Sequence, residues 1–82
     1  MNDTQARELV LNALADVAPE IDTATFDPDT SLRDGAELDS MDFLAYVSGV
    51  SEALALDVPE DDYDRLDTVN SAIAYVVEKA SA

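Results

Sequence analysis

The stretch Leu38-Asp39-Ser40-Met41-Asp42-Phe43-Leu44 is where the side chains of this sequence are best placed for chemistry. Asp39 has the makings of a helix N-cap, because a short carboxylate accepts hydrogen bonds from the free N–H groups of a first helical turn. Ser40 then falls inside that turn, with its hydroxyl at the positive end of the helix dipole. A phosphate joined to the hydroxyl would meet unpaired N–H donors and a favourable field, worth about 0.3–1 kcal/mol at an exposed position. An isolated Asp-Ser pair is more often a capped helix and nothing else, so the meaning of this one depends on the rest of the chain.

The composition removes most catalytic alternatives. The sequence has no cysteine and no histidine, which excludes disulfides, thiolate chemistry, cysteine–zinc sites, a Ser-His pair and imidazole metal ligands. No glycine-rich phosphate loop is present, and the carboxylates are scattered over loops and solvent-facing helix positions rather than paired. The spacing of Asp27, Asp29 and Ser31 suggests a calcium loop. It fails at the sixth position, where Leu32 replaces the glycine of the sharp turn, and at the twelfth, where Leu38 has no carboxylate. Weak, diffuse cation binding is all that remains, so neither catalysis nor a resident metal is expected.

Nineteen acidic residues against four basic ones give a net charge of −15. That surface repels nucleic acid and anionic lipid and draws in basic proteins in a salt-dependent way. No apolar run reaches spanning length and the N-terminus lacks a basic-then-apolar leader, so the expectation is a cytoplasmic monomer without membrane insertion. Residues 1–82 read as a single small domain, burying about 60–65% of the unfolded surface.

Hydrophobic periodicity places the elements around the Asp-Ser pair. Ala6, Leu9, Val10, Ala13, Leu14 and Val17 give one apolar stripe on a helix from about Thr4 to Val17, with Asn2, Asp3 and Thr4 competing as its cap and Pro19 after its end. Residues 18–39 form a long ordered loop pinned by Ile21, Phe26, Leu32 and Leu38, with a single turn near Asp29–Leu32. A second helix runs from Ser40 to about Leu56 with Phe43, Val47, Val50 and Leu54 at the centre of its apolar face. Tyr46 and Leu44 flank that face, and Met41 falls off it beside Ser48. After Pro59, residues 60–65 suffice for a short helix. Thr68 caps a final helix whose stripe is Val69, Ala72, Ile73, Val76, Val77 and Ala80. The fold class is therefore all-α: a small four-helix bundle, three long helices plus one short, with a long first loop.

With these elements in place, the sequence resembles the acyl carrier proteins, in particular the free-standing bacterial type. Leu38-Asp39-Ser40-Met41 is similar to the family's Asp-Ser-Leu signature, with Met41 in place of leucine. From Asp39 to Val76 the spacing matches without a gap, through Val58-Pro59, the acidic short helix and Thr68-Val69. Phe26-Asp27-Pro28-Asp29-Thr30-Ser31-Leu32-Arg33 resembles the family's loop. The resemblance implies a non-catalytic carrier with 4′-phosphopantetheine attached to Ser40 by a phosphopantetheinyl transferase, and with Asp39 as both helix cap and synthase contact. Acyl groups held as thioesters on the arm would be served by acyl-activating, acyltransferase or synthase enzymes of fatty-acid, polyketide or related biosynthesis.

The same resemblance implies partner contacts at Met41, Asp42, Leu44, Ser48 and Glu52. It also implies an acyl pocket lined by Phe43, Val47, Val50, Leu54, Tyr63, Leu66 and Ile73. Two departures from the family stand out. The second helix carries only Asp42 and Glu52, with Asp57 just beyond, which points to a specialised pathway with its own partners. Phe43 is larger than the family's usual residue, and with Tyr63 it occupies space an acyl chain would need, favouring short or solvent-exposed cargo. A carrier for an aminoacyl or other small acid group, and an unmodified acidic interaction domain of the same fold, are the alternatives.

Overall fold

The computed structural model describes residues 1–36 and 38–80. Its element order is α1 (Asp3–Val17), α2 (Ser40–Leu54), a 3₁₀ helix (Glu60–Leu66) and α3 (Val69–Ala80). Among the described residues there is no strand, and the arrangement is the all-α bundle of three long helices and one short helix with a long first loop.

Helix α1 starts one residue earlier than its periodicity suggests, because Asn2 wins the competition for the cap. The Asn2 side chain accepts from the Gln5 N–H at 2.8 Å while Gln5 Oε1 accepts from the Asn2 N–H at 3.0 Å, a reciprocal box that satisfies two orphan donors at once. Ala6, Val10, Ala13 and Leu14 bury the inner face, while Leu9 and Val17 are only partly covered. At Gly49 α1 and α2 lie close, and a Cβ placed there would reach ordinary contact with that of Ala13 at 3.4 Å. Contacts of α1 with α2 and α3 dominate the bundle, and α2 and α3 touch far less.

Helix α2 ends at Leu54 rather than Leu56. Ala55 turns left-handed (φ 55°, ψ 35°), its N–H bonding to the Glu52 carbonyl at 3.1 Å and that of Leu56 to the Ser51 carbonyl at 3.2 Å. No glycine or proline marks this stop, which is why periodicity alone runs past it. Tyr46 does not flank the apolar face: it is fully buried, donating its hydroxyl to the Leu66 carbonyl at 3.1 Å, whereas Leu44 is half exposed. Burial pushes the Tyr46 phenol well above its ordinary range. In α3, Thr68 Oγ1 accepts from the Ser71 N–H at 3.1 Å as a cap. The α3 core stripe includes Tyr75, while Val77 is partly buried and Ala80 exposed.

The long loop is ordered by several turns, not one near Asp29–Leu32: turns fall at 19–20, 23–25, 28–29 and 32–35. Leu32 and Leu38 are buried, and Ile21 and Phe26 pack against the core from its edge. The loop is tied to the start of α3 through Leu32 N–H to the Asp67 carbonyl (2.7 Å) and Asn70 N–H to the Pro28 carbonyl (3.0 Å). Gly35 is required by close approach, because a Cβ there would sit 2.0 Å from Thr30 Cγ2.

Ala55 gives a direct test of the helix stop. The left-handed region costs a non-glycine residue about 1–2 kcal/mol, part of which glycine would return as unfolded-chain entropy. Because Ala55 is exposed, Ala55→Gly loses little packing and should raise stability by about 0.5–1 kcal/mol, read from the urea midpoint at unchanged m-value.

Candidate functional site

The site is assembled where the long loop ends and α2 begins. Asp39 is extended (φ −76°, ψ 176°), and its carboxylate accepts from the Asp42 N–H at 2.8 Å. The Asp39 carbonyl accepts from the Phe43 N–H at 2.9 Å. Among the described residues nothing accepts from the Ser40 and Met41 N–H groups, donors of the first turn, and Ser40 is exposed as the first helical residue. The geometry is thus an open hydroxyl on a capped helix start.

Beside Ser40 lies an open groove of about 460 Å³, lined by Arg33, Leu38, Asp39, Phe43, Leu44, Glu60 and Tyr63 as well as Ser40 itself. Its floor is aromatic. Phe43 is 4% exposed and packs against Tyr46 (centroids 5.9 Å) and edge-on against Tyr63 (6.4 Å, 70°). The Arg33 guanidinium lies 4.8 Å over the Phe43 ring centroid, a cation–π stack.

Arg33 is held there from behind. Its Nη2 donates to Asp64 at 2.9 Å and its Nε to Asp67 at 3.0 Å. The Arg33 backbone N–H (3.2 Å) and the Ser31 hydroxyl (2.6 Å) also donate to the Asp67 carboxylate. The hydrogen bonds it donates to the Asp64 and Asp67 carboxylates raise the Arg33 pKa above its already high ordinary value. Burial alone would lift Asp67, but the bonds from Ser31 and Arg33 outweigh it and hold the carboxyl below its usual range.

The sequence-derived residues divide into groups. Asp39, Ser40, Phe43, Leu44 and Tyr63 meet on the groove. Val47 and Tyr63 line a neighbouring cleft of about 360 Å³, along with Ser48 and Glu52. Leu54 lines a third, separate cleft. Val50, Leu66 and Ile73 are buried in the core and line none of these three clefts. Met41 is 80% exposed and Leu44 48% exposed, next to partly exposed Asp42 on the same end of α2. Sequence reasoning missed Arg33 and Glu60 as groove residues. Arg33 could have been singled out as one of only four basic residues, but its partners lie more than thirty positions away. Among the described residues no group of three His, Cys, Asp or Glu could hold a metal ion, and no helix is long and apolar enough to cross a membrane.

A helical bundle presenting an Asp-capped, exposed serine describes a class of carrier domain, and comparison with known proteins agrees. Residues 8–76 match the family described as "Phosphopantetheine attachment site". The chain is similar to the acyl carrier protein of Rubrobacter xylanophilus, 28% identical over 79 residues, covering 93% of this chain and 98% of that one. It is similar to that of Lactobacillus johnsonii, at 29% over 72 residues (84% and 90%). It is also similar to that of Desulforapulum autotrophicum, at 30% over 71 residues (87% and 92%). The chain belongs to the acyl carrier protein family, whose covalent cofactor is 4′-phosphopantetheine. The residues present fit that group: a solvent-facing hydroxyl, two orphan N–H donors beside it for phosphate oxygens, and an adjoining groove with both apolar and polar walls.

The depressed Asp67 carboxyl fixes a pH signature. A carboxyl whose folded pKa lies below its unfolded value of 3.8 contributes stability that is complete above that value and is lost as the pH falls through the folded pKa. Asp67→Asn should therefore lower Tm at neutral pH, and thermal melts should show the gap to the wild type closing below the ordinary carboxylate range.

Proposed function

We propose that residues 1–82 act as one discrete acyl carrier domain and that Ser40 is the residue bearing the 4′-phosphopantetheine. The supporting observation is that, among the described serines, Ser40 alone combines an exposed hydroxyl, the first position of a long helix and an aspartate cap whose carboxylate accepts from Asp42 N–H at 2.8 Å. Ser31 is bound to Asp67, Ser71 donates to the Arg65 carbonyl, and Ser51 to that of Leu56. Ser48 lies within α2, and Ser81 is outside the described residues.

When bound, the arm supplies a terminal thiol that holds an acyl group as a thioester. Asp39 fixes the helix start and contacts the phosphopantetheinyl transferase. Ser40 Oγ attacks phosphorus of coenzyme A in that enzyme's active site, the proton passing to the transferase and adenosine 3′,5′-bisphosphate leaving. The chain then needs no catalytic group of its own. Its charge of −15 draws basic partners from solution in a monomeric, cytoplasmic setting. Incubation with coenzyme A and a broad-specificity phosphopantetheinyl transferase should add one phosphopantetheine mass to the wild type and none to Ser40→Ala, with helical circular dichroism unchanged. A modified Ser40→Ala protein would refute the assignment.

Docking of acyl-activating, acyltransferase or synthase partners falls on the exposed start of α2. Asp42 and Glu52 are the only acids on that helix, whereas Met41 projects an adaptable thioether next to half-exposed Leu44. Recognition then rests on shape at Met41 and Leu44, flanked by Ser48, with charge acting as steering screened beyond about 8 Å at physiological salt. This balance favours a specialised pathway over general fatty-acid synthesis. Met41→Asp is expected to lower a cognate partner's kcat/KM for pre-loaded carrier more than neutralising Asp42 and Glu52 together. The opposite order, at both low and physiological salt, would make docking electrostatic.

A further inference from the structure

We propose that Arg33 is a positioning residue for the arm: its guanidinium pairs with the phosphodiester that modification adds at Ser40, and so sets the side of α2 on which the arm leaves. The inference rests on the reading of Ser40 as the attachment residue, and adds to that site a cation from the long loop.

Placement is the first support. Ser40 and Phe43 are three residues apart on α2, a spacing that sets two side chains on one face with Cβ atoms about 5–6 Å apart. The Arg33 guanidinium lies 4.8 Å over the Phe43 ring centroid, and Arg33 lines the same groove as Ser40. Among the residues lining that groove Arg33 is the only cation, against Asp39 and Glu60. A phosphodiester on Ser40 brings one more negative charge beside Asp39, in a chain already at −15. Arg33 is the side chain in the groove that can answer it.

Orientation is the second support. Asp67 takes Nε at 3.0 Å and Asp64 takes one hydrogen of Nη2 at 2.9 Å. A guanidinium carries five N–H donors in a rigid fork, so both hydrogens of Nη1 and the other of Nη2 are not used by these carboxylates. They lie on one edge, the geometry that recognises two phosphate oxygens at once. Asp64 is 88% exposed and solvent screens its pull, which leaves Arg33 with charge to offer a third partner. The Phe43 ring and Asp67 already hold the guanidinium in place, so little side-chain freedom remains to be lost when the anion arrives. The arm then leaves on the groove side of α2, and Met41 stays clear for partners.

The test compares unmodified and phosphopantetheinylated forms of the wild type, Arg33→Gln and Arg65→Gln, prepared with coenzyme A and a transferase and verified by intact mass. In ¹⁵N spectra of the wild type, modification should shift the Arg33 side-chain N–H signals and leave those of Arg65 in place. The ³¹P line of the modified protein should be broad in the wild type and in Arg65→Gln, and narrow in Arg33→Gln, where the arm turns freely. Modification should change Tm about 4 °C more favourably in the wild type than in Arg33→Gln, the size of one exposed charge contact in so small a domain. Loss of the Asp64 and Asp67 bonds weakens both forms alike, so a purely structural role of Arg33 leaves that difference at zero. Arg33 signals that ignore modification, or an effect of Arg65→Gln equal to that of Arg33→Gln, overturn the proposal. Should Arg33→Gln fail to fold, the Arg33 signals of the wild type decide. Failure to load would count instead against Ser40 as the attachment site. The cation would then be read on Ser40→Cys, alkylated with iodoacetate or iodoacetamide in a chain that has no other cysteine. The charged adduct should melt above the neutral one with Arg33 present and below it after Arg33→Gln, and the same order in both overturns the pairing.

Discussion

Asp67 is the joint on which the arrangement around Ser40 depends. It sits in the short link between the 3₁₀ helix and α3, and its main chain and side chain both reach across to the long loop. Its carbonyl accepts from Leu32 N–H while its carboxylate collects the Ser31 hydroxyl, the Arg33 N–H and Arg33 Nε. A carboxylate accepting several bonds, one from a cation, is the strong kind of polar contact. It lets a loop of more than twenty residues behave as part of the scaffold, despite the length at which loops are ordinarily loose. Leu32 and Leu38 add buried apolar anchors on either side of Arg33.

Acidity and fold are reconciled by where the few cations go. Arg33 pairs with Asp64 and Asp67 and stacks on Phe43, while Arg65 pairs with Glu78 and, with Lys79, flanks the Tyr75 ring. Tyr75 donates its hydroxyl to Asp62 at 2.8 Å, and burial together with that acid pushes its phenol up to about 12. Each of these cations thus sits on an aromatic ring at the edge of the core, beside acids that would otherwise repel one another. Exposed ion pairs contribute little singly. Here their value lies in fixing two aromatic rings, one of which forms the floor of the Ser40 groove. Among the described residues the exposed large hydrophobics are Met1, Met41, Leu44 and Leu56, and Met41, at the start of α2, is the most open of them.

Much of this protein is determined by local sequence. Helix-period stripes place α1, α2 and α3, because burying one face of each is the only way so small a chain can assemble a core. Asp39 before Ser40 specifies a capped helix start through a contact spanning three residues, so the exposed hydroxyl follows from local chemistry. What tertiary structure alone decided is whatever depends on distant partners. The stop of α2 at Leu54 is made by local bonds to Ser51 and Glu52, but the left-handed Ala55 that closes it carries no glycine or proline signal, and the other features turn on distant partners. Tyr46 is fully buried because Leu66 offers its phenol a carbonyl twenty residues away. The groove exists because Asp64 and Asp67 draw Arg33 over Phe43 across more than thirty residues, and no periodicity encodes a contact between a loop and a link so far apart in the chain.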